Sequence, residues 1–411
     1  MKTVAGSNAR ARGTKRALTF SKAFYAFYYG GMAFLAPFLV LYFDDLGFSG
    51  RQIGLLRGIP PLITIASAPL WGALADASRR YRLLRVITIA GMWLTVLGLS
   101  MVSAYPAALA LVILQALFGG PVIPLVDSAV ISLLGANRDQ YGRQRLLGAV
   151  GWGISGLVAG ALIERYGLTW SFVGYLILIA GAGIAAGAIR GRSPTASEDA
   201  AKPAGRSSYL SDLRLLLRNR SWVIFLVTVL IGGLYQAVEM SYLMLYLADL
   251  GVPESLMGVA LLIGTISEVP IWAFTSGWLR RWGARAVLSA AFLAGAAKGL
   301  VYLFAPPIWL ALGIQLVHGF AFPAMWAAGV AYTGDVAPEG TQATAQGIFG
   351  GVLMGLCLAL GAFVGGWLYE RVGPFQTFGL AGLMPLIALA MLWLGVRQTR
   401  ERRDLATGDA T

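Results

Sequence analysis

The chain contains the stretch Leu39-Val40-Leu41-Tyr42-Phe43-Asp44-Asp45-Leu46-Gly47, which returns 204 positions later as Leu243-Met244-Leu245-Tyr246-Leu247-Ala248-Asp249-Leu250-Gly251. Two further short stretches repeat at nearly the same offset. Pro69-Leu70-Trp71 returns as Pro270-Ile271-Trp272, and Glu164-Arg165-Tyr166-Gly167 returns as Glu370-Arg371-Val372-Gly373. The two halves of the 411-residue sequence are therefore similar to each other. In a membrane protein, two parallel copies predict a pseudo-twofold axis along the membrane normal, with a site at the interface of the halves.

The composition is that of a membrane protein. Apolar residues make up 57% of the chain and charged residues only 12%, and long apolar runs alternate with short polar connections. Twelve spans are predicted, at residues 18–43, 53–75, 86–104, 107–134, 146–163, 169–190, 221–247, 257–279, 287–305, 308–332, 348–369 and 376–396. We therefore predict an all-α membrane protein whose transmembrane helices form two pseudo-symmetric six-helix bundles.

A cytoplasmic linker is predicted to join the two bundles. We assign residues 1–190 to the N-terminal bundle, 191–220 to the linker and 221–411 to the C-terminal bundle. The linker begins with a segment rich in Ser, Pro, Ala and charge, a composition typical of flexible connections. Residues 209–220 have two alternatives, a short amphipathic helix on the membrane surface or plain linker.

Basic residues predict how the chain is oriented. The sequence has 32 Lys and Arg, and 27 of them fall on the side of the predicted membrane that holds both termini. Short cytoplasmic loops collect Lys and Arg, so we expect a multi-pass protein of the inner (cytoplasmic) membrane with both termini in the cytoplasm. The net charge of +13 is scattered over short loops and tails and forms no single basic surface, which argues against nucleic-acid binding.

The loop between spans 2 and 3, Gly72-Ala73-Leu74-Ala75-Asp76-Ala77-Ser78-Arg79-Arg80-Tyr81-Arg82, resembles the signature loop of the major facilitator superfamily. With two parallel halves and a long central loop, the resemblance covers essentially the whole chain and implies the major facilitator fold. Asp76 with Arg79 and Arg80 is expected to act as a cytoplasmic gate, held by charge-assisted hydrogen bonds. Arg57 in span 2 either attracts an anionic substrate, closes an extracellular gate or simply snorkels to the interface.

A closer similarity lies at spans 4 and 5. Asp127 and the stretch Tyr141-Gly142-Arg143-Gln144-Arg145-Leu146-Leu147-Gly148-Ala149-Val150-Gly151-Trp152 are similar in order and spacing to the lactose permease and phenylpropionate permease-like groups. That resemblance implies that Asp127 and Arg145 bind sugar hydroxyls while Trp152 stacks on the ring. The residues alone also suit this role, because Arg145 and Trp152 lie two helical turns apart on one face. The alternative is that Arg145 is a membrane anchor paired with Asp127 and that Trp152 only packs.

The second half places ionisable residues inside predicted spans, namely Glu239, Glu268, Lys298 and His318. A charge at a helix centre costs about 2.5–3.5 kcal/mol, so such residues normally face a cavity and pair. In the lactose permease group, an acid, a base and a histidine on helices 8 to 10 link substrate to proton. The resemblance implies proton coupling by Glu239, Glu268 and His318 and substrate binding by Lys298. Ala321 replaces that group's principal proton site, so Glu239 or Glu268 is the expected carrier; the alternative is a static ion-pair network.

Aromatic residues in span 1 complete the predicted solute site. Tyr25 and Tyr29 share a helical face and are expected to line the cavity, or alternatively to form part of an interfacial aromatic belt. Gln315 stands where the lactose permease group has a lysine on helix 10. We expect the two bundles to rock against each other during transport.

These features predict a secondary active transporter that moves a small organic solute, a sugar or an aromatic carboxylate, by alternating access and proton symport. A small-molecule substrate, protons and the lipid bilayer are the expected partners, the expected state is a monomer, and no metal or other cofactor is expected. One alternative is a proton-driven efflux antiporter for drugs or metabolites. Another is a receptor or scaffold that does not transport. An enzyme is not expected, because no nucleophile–base set, metal-ligand cluster or phosphate loop is recognisable.

Overall fold

The computed structural model describes residues 2–189, 206–338 and 340–407. Across these ranges the regular structure is helical, and no strand occurs in them. The chain divides into two compact units: unit 1 comprises Met1–Ala200 and Val252–Leu262, and unit 2 comprises Ala201–Gly251 and Ile263–Thr411. Helices satisfy every backbone hydrogen bond within one segment, which is why apolar segments of this length fold as helices in a membrane.

Unit 1 contains eight α-helices, with a short 3₁₀ turn at Gly135–Gln140. They are α1 (Lys2–Leu35), α2 (Leu39–Asp45), α3 (Gly50–Ser78), α4 (Tyr81–Leu99), α5 (Tyr105–Gly119), α6 (Val122–Leu134), α7 (Tyr141–Tyr166) and α8 (Thr169–Ala188). α1 packs along both α7 and α8, and α4 packs against α5 and α8. The core of unit 1 is therefore organised around α1.

The remaining helices belong to unit 2, except that α11 begins in unit 1. They are α9 (Arg206–Arg218), α10 (Arg220–Asp249), α11 (Glu254–Leu303), α12 (Ile308–Gly313), α13 (Met325–Val336), α14 (Gln342–Gly351), α15 (Leu358–Val372) and α16 (Pro374–Thr407). A 3₁₀ turn at Ile314–Val317 and π-helical turns at Phe320–Ala324 and Val352–Cys357 interrupt this series. α10 packs along α15 and α16 and carries much of the core of unit 2.

Within the described residues, eleven helical segments are long and apolar enough to cross a membrane. One of them, Glu254–Leu303, is 50 residues long and breaks at Gly283, where φ is 77°. This segment covers the two spans predicted at 257–279 and 287–305, so it accounts for two crossings. The predicted all-α membrane fold is confirmed.

The repeated stretch has the same backbone conformation in both copies. α2 ends at Asp45 and α10 at Asp249, and in each case the glycine two residues later has a positive φ, 76° at Gly47 and 73° at Gly251. Glycine adopts this left-handed conformation without the steric cost that a Cβ imposes. The repeated sequence thus ends a helix with the same backbone conformation in both halves.

Helix α9 decides between the two alternatives for residues 209–220. Leu216 is fully buried in the same apolar core as Trp222 of α10, and Thr344 Oγ1 donates a hydrogen bond to Asp212 Oδ2 at 3.1 Å. This segment is therefore a helix packed on unit 2. Residues 190–205, where the predicted linker begins, lie outside the described residues.

Candidate functional site

Five residues of unit 1 form a connected polar group, the Arg145 cluster: Tyr25, Tyr29, Asp127, Tyr141 and Arg145. Tyr25 Oη donates to Asp127 Oδ1 at 2.6 Å, and Arg145 Nη2 donates to Tyr29 Oη at 2.5 Å. Arg145 Nη1 lies 3.9 Å from Asp127 Oδ2 and 3.5 Å from Tyr141 Oη. The structure therefore brings together four of the residues predicted to hold the solute and adds Tyr141.

Two glycines of α7 bring α1 close enough to form this cluster. A Cβ at Gly148 would lie 2.5 Å from the ring of Tyr29, and a Cβ at Gly151 would lie 2.3 Å from the carbonyl oxygen of Ala26. Neither position has room for a side chain. Because both residues are glycines, the two helices can approach each other closely along this stripe of small residues. This approach places the Tyr29 hydroxyl within reach of the Arg145 guanidinium.

The Arg145 cluster is accessible on its Arg145 side. The Arg145 side chain is 41% exposed and that of Asp127 is 19% exposed, whereas Tyr25 is fully buried. A guanidinium has five N–H donors, so Arg145 keeps donors available beyond those used by the tyrosines. Trp152 is half-buried on the same helix, and no ring contact to the cluster is found among the described residues. Its predicted stacking role remains a prediction.

Unit 2 contains a second polar group, the Lys298 cluster: Glu239, Glu268, Lys298, Gln315 and His318. Lys298 Nζ forms an ion pair with Glu239 Oε1, donates to Gln315 Oε1 at 3.2 Å and lies 3.4 Å from His318 Nδ1. His318 Nε2 lies 3.5 Å from Glu268 Oε1. All four ionisable residues predicted from the second half are thus connected in one chain, with Gln315 as an addition.

The Lys298 cluster runs from a buried end to an accessible end. Lys298 and Glu239 are 0% and 1% exposed, whereas the side chains of His318 and Glu268 are 20% and 31% exposed. An ammonium group only donates, so we assign His318 Nδ1 as the acceptor of the 3.4 Å contact with Lys298 and place the ring proton on Nε2, on the side of Glu268. This tautomer follows from the hydrogen-bond network. A second proton on Nδ1 would point at the ammonium group of Lys298.

Irregular backbone positions His318 between its two neighbours. It follows the 3₁₀ turn Ile314–Val317 and precedes the π-turn Phe320–Ala324, and such interruptions of α-helices are frequent at functional sites. The Gly319 amide donates to Ser267 Oγ at 3.0 Å, and a Cβ at Gly319 would lie 2.2 Å from the Ser267 carbonyl oxygen. This close approach of α11 sets Glu268 beside His318.

Tyr302 supports the buried end of the cluster and was not predicted as a site residue. Gln315 Nε2 donates to Tyr302 Oη at 2.7 Å, and Tyr302 Oη donates to the Ala311 carbonyl oxygen at 3.1 Å. Spacing in the sequence points to both residues, since Tyr302 follows Lys298 by one helical turn and Gln315 precedes His318 by one. Tyr302 thereby fixes the orientation of the Gln315 amide.

Some polar side-chain atoms of α10 in this region are unused. Glu239 Oε2 and both amide atoms of Gln236 are buried and have no hydrogen-bond partner among the described residues. Gln236 and Glu239 lie one turn apart on the same helical face. Buried polar atoms without partners are uncommon and frequently mark functional positions. Glu239 is thus an ion-pair partner through one oxygen and an available acceptor through the other.

The predicted gating residues do not pair with one another in unit 1. The Tyr81 hydroxyl donates to Asp76 Oδ1, and no ion pair joins Asp76 to Arg79 or Arg80 in the described part of the chain. Arg79 ends α3 with a left-handed φ of 55°. Arg57 Nη1 donates to the Ala36 carbonyl oxygen at 2.8 Å. The gating roles stay predictions.

A model of the MFS_1-like family matches residues 18–380. This chain is a major facilitator superfamily transporter. The transporter is 29% identical over 379 residues to the maltose permease of Geobacillus stearothermophilus, covering 89% of this chain and 93% of the permease. It is 25% identical over 374 residues to the probable 3-phenylpropionic acid transporter of Escherichia coli (strain K12), covering 90% and 95%.

The fold is also that of solved transporters. The crystal structure of the nucleoside transporter NupG aligns with a TM-score of 0.75 at 18% identity, over 92% of this chain and 98% of NupG. At this identity the likeness concerns the fold alone. The predicted family is confirmed, and the transporter is a multi-pass membrane protein that moves small solutes and is not an enzyme.

Proposed function

We propose that the transporter imports a neutral solute with a hydroxylated ring, such as a sugar, by alternating access and proton symport across the cytoplasmic membrane. The observation that carries this proposal is the continuous chain from Glu239 through Lys298 and His318 to Glu268, which is buried at one end and accessible at the other. A static packing network has no need of an accessible carboxylate beside a titratable ring.

The geometry favours the carboxylates as the groups that take up the transported proton. His318 Nδ1 faces the Lys298 ammonium group and Nε2 faces Glu268, so the ring lies between a buried and an accessible ionisable group. Glu268 at the accessible end exchanges protons with water, and Glu239 holds Lys298. Protonating Glu268 removes its attraction to the ring and changes the charge balance of the whole chain.

The charge of the Arg145 cluster favours a neutral solute over an aromatic carboxylate. Both cations predicted to hold the solute already face a carboxylate, Arg145 at 3.9 Å from Asp127 and Lys298 in its ion pair with Glu239. An anionic solute would have to compete with those carboxylates. Hydroxyl groups, in contrast, find donors on Arg145 and acceptors on Asp127 at once. The similarity to a maltose permease supports the same solute class.

Uptake into proteoliposomes tests the proposal. Purified transporter is given radiolabelled maltose, uridine or 3-phenylpropionate, with and without an imposed pH gradient, and counterflow is measured without the gradient. We expect a sugar to accumulate only when the outside is acidic. The Glu268→Gln variant is expected to lose accumulation and keep counterflow, because a neutral amide carries no proton.

Glu254→Gln is the matched control, since it removes an acid from the first turn of the same helix. It is expected to accumulate solute as the wild type does. Transport of 3-phenylpropionate alone would contradict the solute class, and accumulation driven by an acidic interior would indicate the efflux antiporter. Unchanged accumulation by Glu268→Gln would contradict the coupling role.

A further inference from the structure

A separate cavity lies in unit 1, among α1, α4 and α8. Its volume is about 980 Å³, and its lining includes Arg16 and Phe20 of α1, Arg82 and Trp93 of α4 and Ile184 of α8. None of the five residues of the Arg145 cluster lines it. The cavity is therefore distinct from the proposed solute site.

The walls of this cavity are apolar and belong to membrane-spanning helices. Leu94 and Ile184, which both line it, are 60% and 75% exposed on the surface of the protein. Exposed apolar side chains on spanning helices contact lipid acyl chains, because no other apolar phase is available to them. The cavity is thus a crevice in the lipid-facing surface of unit 1.

Positive charge collects at one end of the crevice. Arg16 begins the first spanning segment, Arg82 lies in the first turn of α4, and Ala188 ends α8. Successive crossings alternate in direction, so these three ends share one side of the membrane. Among the described residues that line the crevice, none is acidic. Two guanidinium groups therefore stand at the mouth of an apolar groove, and no ion pair joins either of them to a carboxylate of the described residues.

A third arginine next to the crevice has unused donors. Arg85 is 2% exposed and donates from Nη2 to the Ile189 carbonyl oxygen at 2.8 Å. Its Nε and Nη1 are buried without a hydrogen-bond partner among the residues described. Arg85 lies one turn after Arg82 and directly before Val86, which lines the crevice. A buried guanidinium with free donors is costly unless negative charge lies nearby.

We propose that this crevice binds an anionic phospholipid. The phosphate binds Arg16 and Arg82, the charge of Arg85 adds to the attraction, and one acyl chain lies along Trp93 and Ile184. A zwitterionic lipid offers the same acyl chains without the net charge, so the head group decides which lipid is retained. The site is independent of the transported solute.

Native mass spectrometry on the full-length transporter tests this site. Delipidated protein is titrated with phosphatidylglycerol or with phosphatidylcholine of identical acyl chains. We expect tighter binding of phosphatidylglycerol, and the double variant Arg16→Gln/Arg82→Gln is expected to weaken it about 30-fold, since each charge contributes about a fivefold factor. The matched control Arg138→Gln/Arg143→Gln removes two exposed arginines on the same predicted side and is expected to bind as the wild type does.

A second pair of variants separates lipid binding from folding. A Cβ at Gly187 has only Val86 nearby, at 3.8 Å, so Gly187→Leu fits and fills the crevice without changing charge. It is expected to lose phosphatidylglycerol, whereas Arg16→Lys/Arg82→Lys retains it. Equal binding of both lipids, an equal loss in the control variant, or displacement of the lipid by inorganic phosphate alone would overturn the proposal.

Discussion

Three acceptors surround the side-chain nitrogen of Lys298 inside unit 2. It pairs with Glu239 and lies 3.2 Å from Gln315 Oε1 and 3.4 Å from His318 Nδ1, and it is fully buried. Taking a charge out of water is repaid only when its partners remain in place. The stability of this part of unit 2 therefore depends on the pair, and not on either residue alone.

We expect Lys298→Gln to destabilise the protein by about 3 kcal/mol, because Glu239 then becomes an uncompensated buried charge. The double variant Lys298→Gln/Glu239→Gln is expected to regain most of that loss. Thermal unfolding in detergent measures both effects. Lys22→Gln, an exposed lysine of α1, serves as the control and should unfold as the wild type does. Additive losses in the double variant would show that the two charges do not stabilise each other.

Tyr29 positions the Arg145 guanidinium by accepting a hydrogen bond at 2.5 Å. A hydrogen bond to a charged group contributes about 1.5 kcal/mol or more, so Tyr29→Phe is expected to raise the KM for solute about tenfold with little change in the maximal rate. Tyr28→Phe is the matched control, since the neighbouring Tyr28 ring packs on Phe24 at 5.5 Å. A similar rise in KM for both variants would contradict the role of Tyr29.

Residue types and spacing predicted most of the two clusters. Ionisable residues inside apolar spans are costly and therefore rare, and this rule pointed to Glu239, Glu268, Lys298 and His318. Tyr302 was missed, and Tyr141 and Gln315 were not assigned to the site, because tyrosine and glutamine fit ordinary packing as easily as a polar network. Their partners lie on other helices, and only the three-dimensional structure shows which helices meet.

At the scale of helices, α7 and the first turns of α11 pack without side chains between them in unit 1. A Cβ at Gly160 would lie 2.2 Å from the Glu254 carbonyl oxygen, and one at Gly258 would lie 2.7 Å from the Gly156 carbonyl oxygen. Backbone atoms cannot yield as a flexible side chain can. The two helices must separate if either glycine gains a side chain.

We expect Gly160→Leu to abolish solute accumulation, because a leucine side chain has no room against the Glu254 carbonyl oxygen and forces α7 and the start of α11 apart. Gly160→Ala is expected to slow transport. Gly142→Leu, in the same helix at a position with open space around it, should transport normally. Uptake and thermal unfolding are measured together. Normal uptake by Gly160→Leu would mean that transport does not need this contact.

The backbone around His318 could not be predicted from the sequence. An apolar run has the same composition whether it forms α, 3₁₀ or π turns, so the interruption at 314–324 leaves no mark in the hydrophobic pattern. Pro323 is the only local hint, since proline disturbs helical hydrogen bonding. Such turns are set by packing, here by the contact of Gly319 with Ser267.

At the scale of the molecule, the fold was predictable because membrane helices are specified by apolar length. The repeated stretch at 39–47 and 243–251 also predicted equal helix endings, which the positive φ angles of Gly47 and Gly251 confirm. The eighth and ninth predicted spans, 257–279 and 287–305, lie on either side of Gly283, where the backbone leaves the helical conformation with a φ of 77° and a ψ of 161°. Three arginines, Arg280, Arg281 and Arg285, flank this glycine and mark the short connection in the sequence.

The predicted orientation is tested by cysteine labelling. Cys357 is the sequence's single cysteine and is buried, so Cys357→Ser gives a background without thiols. In that background we expect Ser103→Cys to react with a membrane-impermeant maleimide in intact cells, and Gln140→Cys to react only after the membrane is opened. Both side chains are exposed. The reverse pattern would place the termini outside.

The buried pair of unit 2 also constrains how such a protein evolves. The position four residues before each copy of the repeated stretch is Leu35 in one half and Glu239 in the other, and both are buried. A mutation that introduced either Glu239 or Lys298 alone would have carried an unpaired buried charge and the loss of stability that follows. We therefore expect the positions of Glu239 and Lys298 to change together among related proteins, whereas the position of Leu35 exchanges one apolar residue for another.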